Sequence, residues 1–234
     1  MSLPKIKYPI FDLTLPSTKE QINFRPFTVK EEKLLLIAQE SENQADKIRA
    51  IRQIINNCCF NLPKDVGLLP SFDLEYCFMK IRSKSIGNIV ELKYKDLTDK
   101  KIYTFEVDLD ELEIEFNPEH NKTVIISDDL GLIMKYPTIE VLDSVKDDLK
   151  STESSFTIIK KCIETIYDSD NTYDTSDYSD EELSTFVESI PAKAFEGITK
   201  FFDTSPNLKH ELKYKDEEGT EKTITLQGID DFFQ

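Results

Sequence analysis

The residues best placed by type and spacing to do chemistry are the carboxylates between Tyr167 and Glu182. They are Asp168, Asp170, Asp174, Asp177, Asp180, Glu181 and Glu182, with no Lys or Arg among them. Counted as a calcium loop from Asp170, positions one, five and twelve are Asp170, Asp174 and Glu181, each able to offer a hard oxygen ligand. Position three is Thr172, however, and position six is Thr175, where the sharp turn of such a loop needs Gly. Asp170, Asp174 and Glu181 are therefore weak metal candidates. The preferred reading of 167–182 is a solvated acidic loop with few aliphatic residues to bury, expected to be mobile. A metal-dependent or hydrolytic enzyme using these carboxylates is the alternative functional reading.

Other reactive types are sparse. The two His are His120, in an expected loop, and His210, beside an expected strand. No Ser sits in G-x-S-x-G, there is no P-loop, and Gly at 67, 87, 131, 197, 219 and 228 cannot make G-x-G-x-x-G. No catalytic residue is assigned and no cofactor is expected. Cys58, Cys59, Cys77 and Cys162 make no CxxC pair and read as small buried apolar residues in a reducing compartment. A net charge of −16 repels phosphate backbones and anionic headgroups, so neither nucleic acid nor direct membrane insertion is expected. Met1–Tyr8 lacks a signal-peptide core, which places the protein in a cytoplasm.

Periodicity and caps supply the elements. Ile10–Leu15 and Gln21–Arg25 read as a hairpin, followed by a helix that Thr28 and Glu31 open as a capping box. That helix, with Lys33–Ala38 apolar on more than one face, is expected to be central. A second helix over 43–57 carries Ile48, Ile51, Ile54 and Ile55 on one stripe, and a third opens at Ser71. Asp108–Phe116 alternates acid with apolar residues, as a half-exposed strand does. Later helices are expected near 138–148, 155–167, 180–189 and 191–203, with Ser179 and Glu182 forming a second capping box.

The hexapeptide Glu-Leu-Lys-Tyr-Lys-Asp occurs twice, at Glu91–Asp96 and Glu211–Asp216. Each copy follows a helical pattern and opens a hairpin. Upstream, Ile22–Val29 can be laid over Leu132–Ile139, and both segments end in a Thr able to cap a helix. The fold class is therefore α+β, helices packed on small antiparallel sheets and hairpins; one reading of the repeat is an internal duplication of a hairpin–helices–hairpin unit over 8–107 and 113–227, the other is two halves that share only common α+β elements. The domains are expected at 1–112 and at 113–234, the latter carrying the acidic loop 167–182; one intimately packed domain is the alternative.

With no catalytic constellation, the expected work is contact with other proteins. The tail places Ile229, Phe232 and Phe233 together as partner-binding candidates, unless they dock on the protein's own core. The run Leu13–Thr18, then Phe24-Arg-Pro-Phe27 and Lys30–Ala38, resembles the T-even-type contractile-tailed bacteriophage baseplate hub subunit, or baseplate hub assembly, family. Asn57-Cys58, Phe72–Tyr76 and the closing Leu226–Phe233 are similar to it too. The resemblance implies a non-enzymatic protein of the infected host's cytoplasm that helps to build the baseplate hub, with other hub proteins as partners. It leaves open an assembly chaperone or a subunit carried in the virion tail baseplate, and the oligomeric state.

Overall fold

The structure, a computed structural model, describes residues 4, 6–41, 44–145 and 151–232. It is α+β, and it falls into two compact units, Met1–Glu115 with Asn207–Gln234, and Phe116–Pro206. The first crossing falls between Glu115 and Phe116. The second returns residues 207 onwards to the first unit, because the last hairpin pairs with a strand at Ile114.

In the first unit, β1 (Phe11–Thr14) and β2 (Gln21–Phe24) form the expected hairpin. Helices α1 (Val29–Glu40) and α2 (Gln44–Cys58) follow, and β3 (Cys59–Phe60) then pairs antiparallel with β2. After a 3-10 turn at Val66–Leu68 comes α3 (Ser71–Ser85), then the hairpin of β4 (Ile89–Lys95) and β5 (Ile102–Asp108). Strand β6 (Ile114–Glu115) closes this stretch. From the far end of the chain come β11 (Asn207–Lys215) and β12 (Glu221–Gln227), in a sheet of order β12-β11-β6.

The α2 stripe behaves as its spacing predicts, with Ile51, Ile54 and Ile55 buried. The central helix, however, is α3, not α1. Phe72, Leu74, Cys77, Phe78, Met79 and Ile81 of α3 are all buried. On α1 only Glu31 and Ala38 are buried, one period-3.6 face that Leu36 and Ile37 miss, so both are 55% exposed. The alternating run from Asp108 is not one strand: Asp108 ends β5 opposite Ile89, Leu109 and Leu112 are buried within the turn that follows, and Ile114 and Glu115 pair again as β6.

In the second unit, β7 (Thr123–Ile125), β8 (Leu130–Met134), β9 (Ile163–Asp168) and β10 (Thr172–Asp174) make an antiparallel sheet of order β10-β9-β8-β7. Around it lie α4 (Ile139–Asp143), α5 (Thr152–Cys162), α6 (Asp180–Ser189) and α7 (Ala192–Asp203). Val124, Leu132, Met134, Ile159, Ile166, Ile198 and Phe201 form its core. The expected helix 155–167 thus ends at Cys162. The β-branched run beyond it is a strand, because pairing with β8 outweighs local helical spacing.

The order of elements recurs along the chain. A hairpin is followed by two helices, a strand antiparallel to the hairpin's second strand, a 3-10 turn, helix and hairpin, first over 11–108 and again over 123–227. Equivalent bonds recur with it. Arg25 N–H donates to the Cys58 carbonyl (3.0 Å) and Lys135 N–H to that of Cys162 (2.8 Å). Asp65 accepts from Gly67 N–H (2.8 Å) and Asp174 from Ser176 N–H (2.9 Å), each at the head of its 3-10 turn. The second pass adds β10 and one helix.

Candidate interaction surfaces

The C-terminal tail begins where Gly228, at φ 72°, turns the chain out of β12. Its N–H donates to the Leu208 carbonyl (3.1 Å), and Asp231 accepts from Gln227 N–H (2.8 Å). A 3-10 turn at Ile229–Phe232 results. Phe232 is 1% exposed and so belongs to the core of the first unit, Ile229 is half-buried, and Phe233 lies outside the described residues. Of the tail's two expected roles, own-core docking is the one Phe232 occupies.

The two copies of the repeated hexapeptide meet. Tyr94 and Tyr214 lie 6.2 Å apart between ring centroids, and Tyr103 and Phe105 of β5 lie 4.5 and 5.8 Å from Tyr214. Asp96, only 4% exposed, accepts from Lys222 Nζ (2.7 Å), the Tyr214 hydroxyl (2.8 Å) and Thr98 N–H (2.7 Å). The Lys222 ammonium, then the Thr98 N–H and the Tyr214 hydroxyl, hold the Asp96 carboxyl well below the usual range. Burial and the Asp96 bond push Tyr214 up to about 12. Lys222 also reaches Asp216 (3.3 Å), the residue equivalent to Asp96 in the other copy. Beyond this locked centre the first hairpin presents apolar groups to solvent, with Leu97 85% and Ile102 65% exposed.

The acidic segment is folded, which corrects the expectation of a mobile loop. Thr172–Asp174 pairs with β9 and a 3-10 turn follows at Thr175–Asp177. Buried Thr175 donates to the carbonyls of Ile163 (2.7 Å) and Glu164 (3.1 Å). The carboxylates serve the backbone. Asp168 accepts from Asp170 N–H (2.9 Å), Asn171 N–H (2.7 Å) and the Tyr173 hydroxyl (2.7 Å). Asp174 accepts from the Ser176 N–H (2.9 Å) and hydroxyl (2.7 Å), and Glu182 completes the expected capping box with Ser179. The metal candidates are thus spread out: Asp170 in the β9–β10 turn, Asp174 capping a 3-10 turn, Glu181 exposed in the first turn of α6. Among the described residues no three His, Cys, Asp or Glu side chains form a group that could hold a metal ion.

The packing of this segment opens an apolar cleft of about 340 Å³ beside α6, lined by Leu130, Ile166, Tyr173, Tyr178, Leu183 and Phe186, with Glu182 the one charged lining residue. None of these was a candidate in the sequence. The available signal was Tyr173 and Tyr178 set among the acids, with Leu183 and Phe186 at helical spacing just beyond.

His120 has a structural position. Thr204 Oγ1 donates to the Lys200 carbonyl (2.6 Å) and so accepts from His120 Nδ1–H (2.9 Å). The ring stacks on Tyr136 at 5.5 Å, and burial together with Lys122 lowers its pKa. The four Cys are buried free thiols; burial pushes Cys58 and Cys162 up to about 12, too high for a nucleophile. Among the described residues no helix is long and apolar enough to cross a membrane.

Against known proteins, the model of the family described as T4 bacteriophage base plate protein matches residues 8–234. No curated protein and no solved structure matches the chain.

Proposed function

The chain belongs to the T4 bacteriophage base plate protein family, and from that premise we propose that it helps to assemble the central hub of the tail baseplate through contacts with other hub proteins, as an assembly chaperone or as a hub subunit. Family membership makes it a structural protein of the phage baseplate, which is assembled in the infected host. The observation that carries the reading is the match itself, which takes in both compact units.

The geometry is in keeping with a protein that works by contact. The carboxylates of 167–182 hold turns and a helix start together, as structural groups do. The tips and faces that reach solvent carry apolar groups, with Leu97, Ile102 and Tyr178 among them. At the C-terminal turn, Phe232 is the anchor, and Ile229 and Phe233 are the proposed contact residues. The protein works in the host cytoplasm during assembly, and as a subunit it would remain in the virion tail baseplate.

Co-expression of the full chain with each other baseplate protein of the same phage tests the reading. Stable co-purification with a hub protein is the expected result, and association only with proteins of the baseplate periphery would overturn the hub assignment. Mass spectrometry of purified virions then separates subunit from chaperone by presence or absence of the chain.

A further inference from the structure

We propose that the apolar cleft beside α6 seats an apolar side chain carried by a positively charged segment of another baseplate protein. The proposal rests on the assembly reading above and names the surface and the chemistry of the partner.

Three observations within the second unit carry it. The cleft is lined by Leu130 from β8, Ile166 from β9, Tyr173 from β10, and Leu183 and Phe186 from α6, with Tyr178 beside them. At about 340 Å³ it is near the lower end of the ~300–1,000 Å³ typical of ligand pockets. Leu183 and Phe186 stand three residues apart, on one face of α6.

The aromatic groups are held in place without being hidden. The Tyr173 hydroxyl is tied to Asp168 at 2.7 Å, and its ring meets that of Tyr178 edge-on at 6.4 Å. Tyr178 nevertheless remains 40% exposed. Held aromatic surface of this kind loses little conformational entropy on docking, and aromatic pockets are where interface energy concentrates.

The charge around the cleft selects the partner. From Ile163 to Ala192 the chain has no Lys, Arg or His. Asp177 and Glu181, both exposed, are the sequence neighbours of the lining residues Tyr178 and Glu182. Lys160 on α5 is paired with Asp180 at 2.6 Å, and a second cation near the segment, Lys135, acts on Asp174. A second copy of this chain, at net charge −16, would bring like charge to the rim. A basic segment gains from it in both steering and register.

The test is site-specific photo-cross-linking in infected cells. A benzophenone side chain is placed in the full chain at position 178, and separately at the exposed control position Lys213 in the first unit. The expected result is a cross-link from 178 to one baseplate protein, mapping to a segment with net positive charge and an apolar residue. The double variant Asp177→Lys with Glu181→Lys, at exposed positions, should cut that cross-link about fivefold while the protein stays folded, with a melting temperature lowered only slightly by the Lys in the first turn of α6. Phe186→Asp should abolish it.

A cross-link at 178 to a second copy, or to an acidic segment, overturns the proposal. So does a cross-link indifferent to the charge reversals. If the control position captures a baseplate protein and 178 captures none, the cleft is wrong and the assembly reading stands. If neither position captures a baseplate protein, both fail together.

Discussion

Glu31 is the buried charge on which the start of α1 depends. Burial alone would raise its pKa, but bonds from Arg25 (3.1 Å) and from the Thr28 hydroxyl (2.6 Å) and N–H (2.9 Å) outweigh that and hold it at about 2. Asn57 of α2 also donates to it, at 3.3 Å. One carboxylate therefore caps α1, pairs with Arg25 just beyond β2 and bonds to α2. Because its folded pKa lies below the ordinary value of 4.5, the stability it contributes is fully present above about pH 4.5 and is lost as pH falls toward 2. Arg25→Ala should cost about 3 kcal/mol at neutral pH by leaving this carboxylate buried without its partner. In thermal melts the gap between variant and parent should narrow steadily from pH 5 to pH 2, and a gap independent of pH would refute the assignment. Asp96 makes a second case. Asp96→Ala removes the acceptor shared by Lys222 and Tyr214, so carbon-labelled tyrosine spectra should show the Tyr214 titration moving down from about 12. An unmoved Tyr214 would mean that burial alone sets its value.

At the scale of elements, what was legible in the sequence was what is local. The Thr28–Glu31 and Ser179–Glu182 boxes mark the helix starts within a residue, and the α2 isoleucines face inward as spaced. What could not be read depends on distant partners. Cys59–Phe60 and Ile163–Asp168 continue straight out of helices and become strands only because β2 and β8 lie ready to pair with them. Periodicity cannot separate helix from strand in such short apolar runs. The acidic segment owes its order to caps and to the Tyr173 hydroxyl bond, which leave no hydrophobic pattern in the sequence. The same gap hid the cleft, whose lining is drawn from β8, β9, β10 and α6. Close approach is equally invisible in one dimension. A Cβ on Gly131 would overlap the ring and hydroxyl of Tyr167 across the strand pair. Gly131→Ala should therefore displace Tyr167 and lower stability by about 1–3 kcal/mol, measured by denaturant unfolding; an unchanged midpoint would show that the ring yields freely. The recurrent element order supports the proposal of an internal duplication, and superposing the β4–β5 hairpin on the β11–β12 hairpin should place Tyr94 on Tyr214. Placement of these residues on different strand positions would end it.

At the scale of the molecule, the tail closes the first unit. Phe232 is 1% exposed and belongs to the compact unit that also holds residues 1–115. Phe232→Ala should cost about 3 kcal/mol or more through the cavity it leaves, and deletion of Ile229–Gln234 should lower the melting temperature further. A truncated protein that melts unchanged would show the tail to be dispensable to the fold. Beyond stability, the claim at this scale is that the chain is needed to build the baseplate hub. The most direct measurement is electron microscopy of lysates from a phage in which this one chain is not made, with and without the chain supplied from a plasmid. The account predicts no complete baseplates in its absence and their return on complementation. Complete baseplates with intact hubs in the uncomplemented lysate would contradict it.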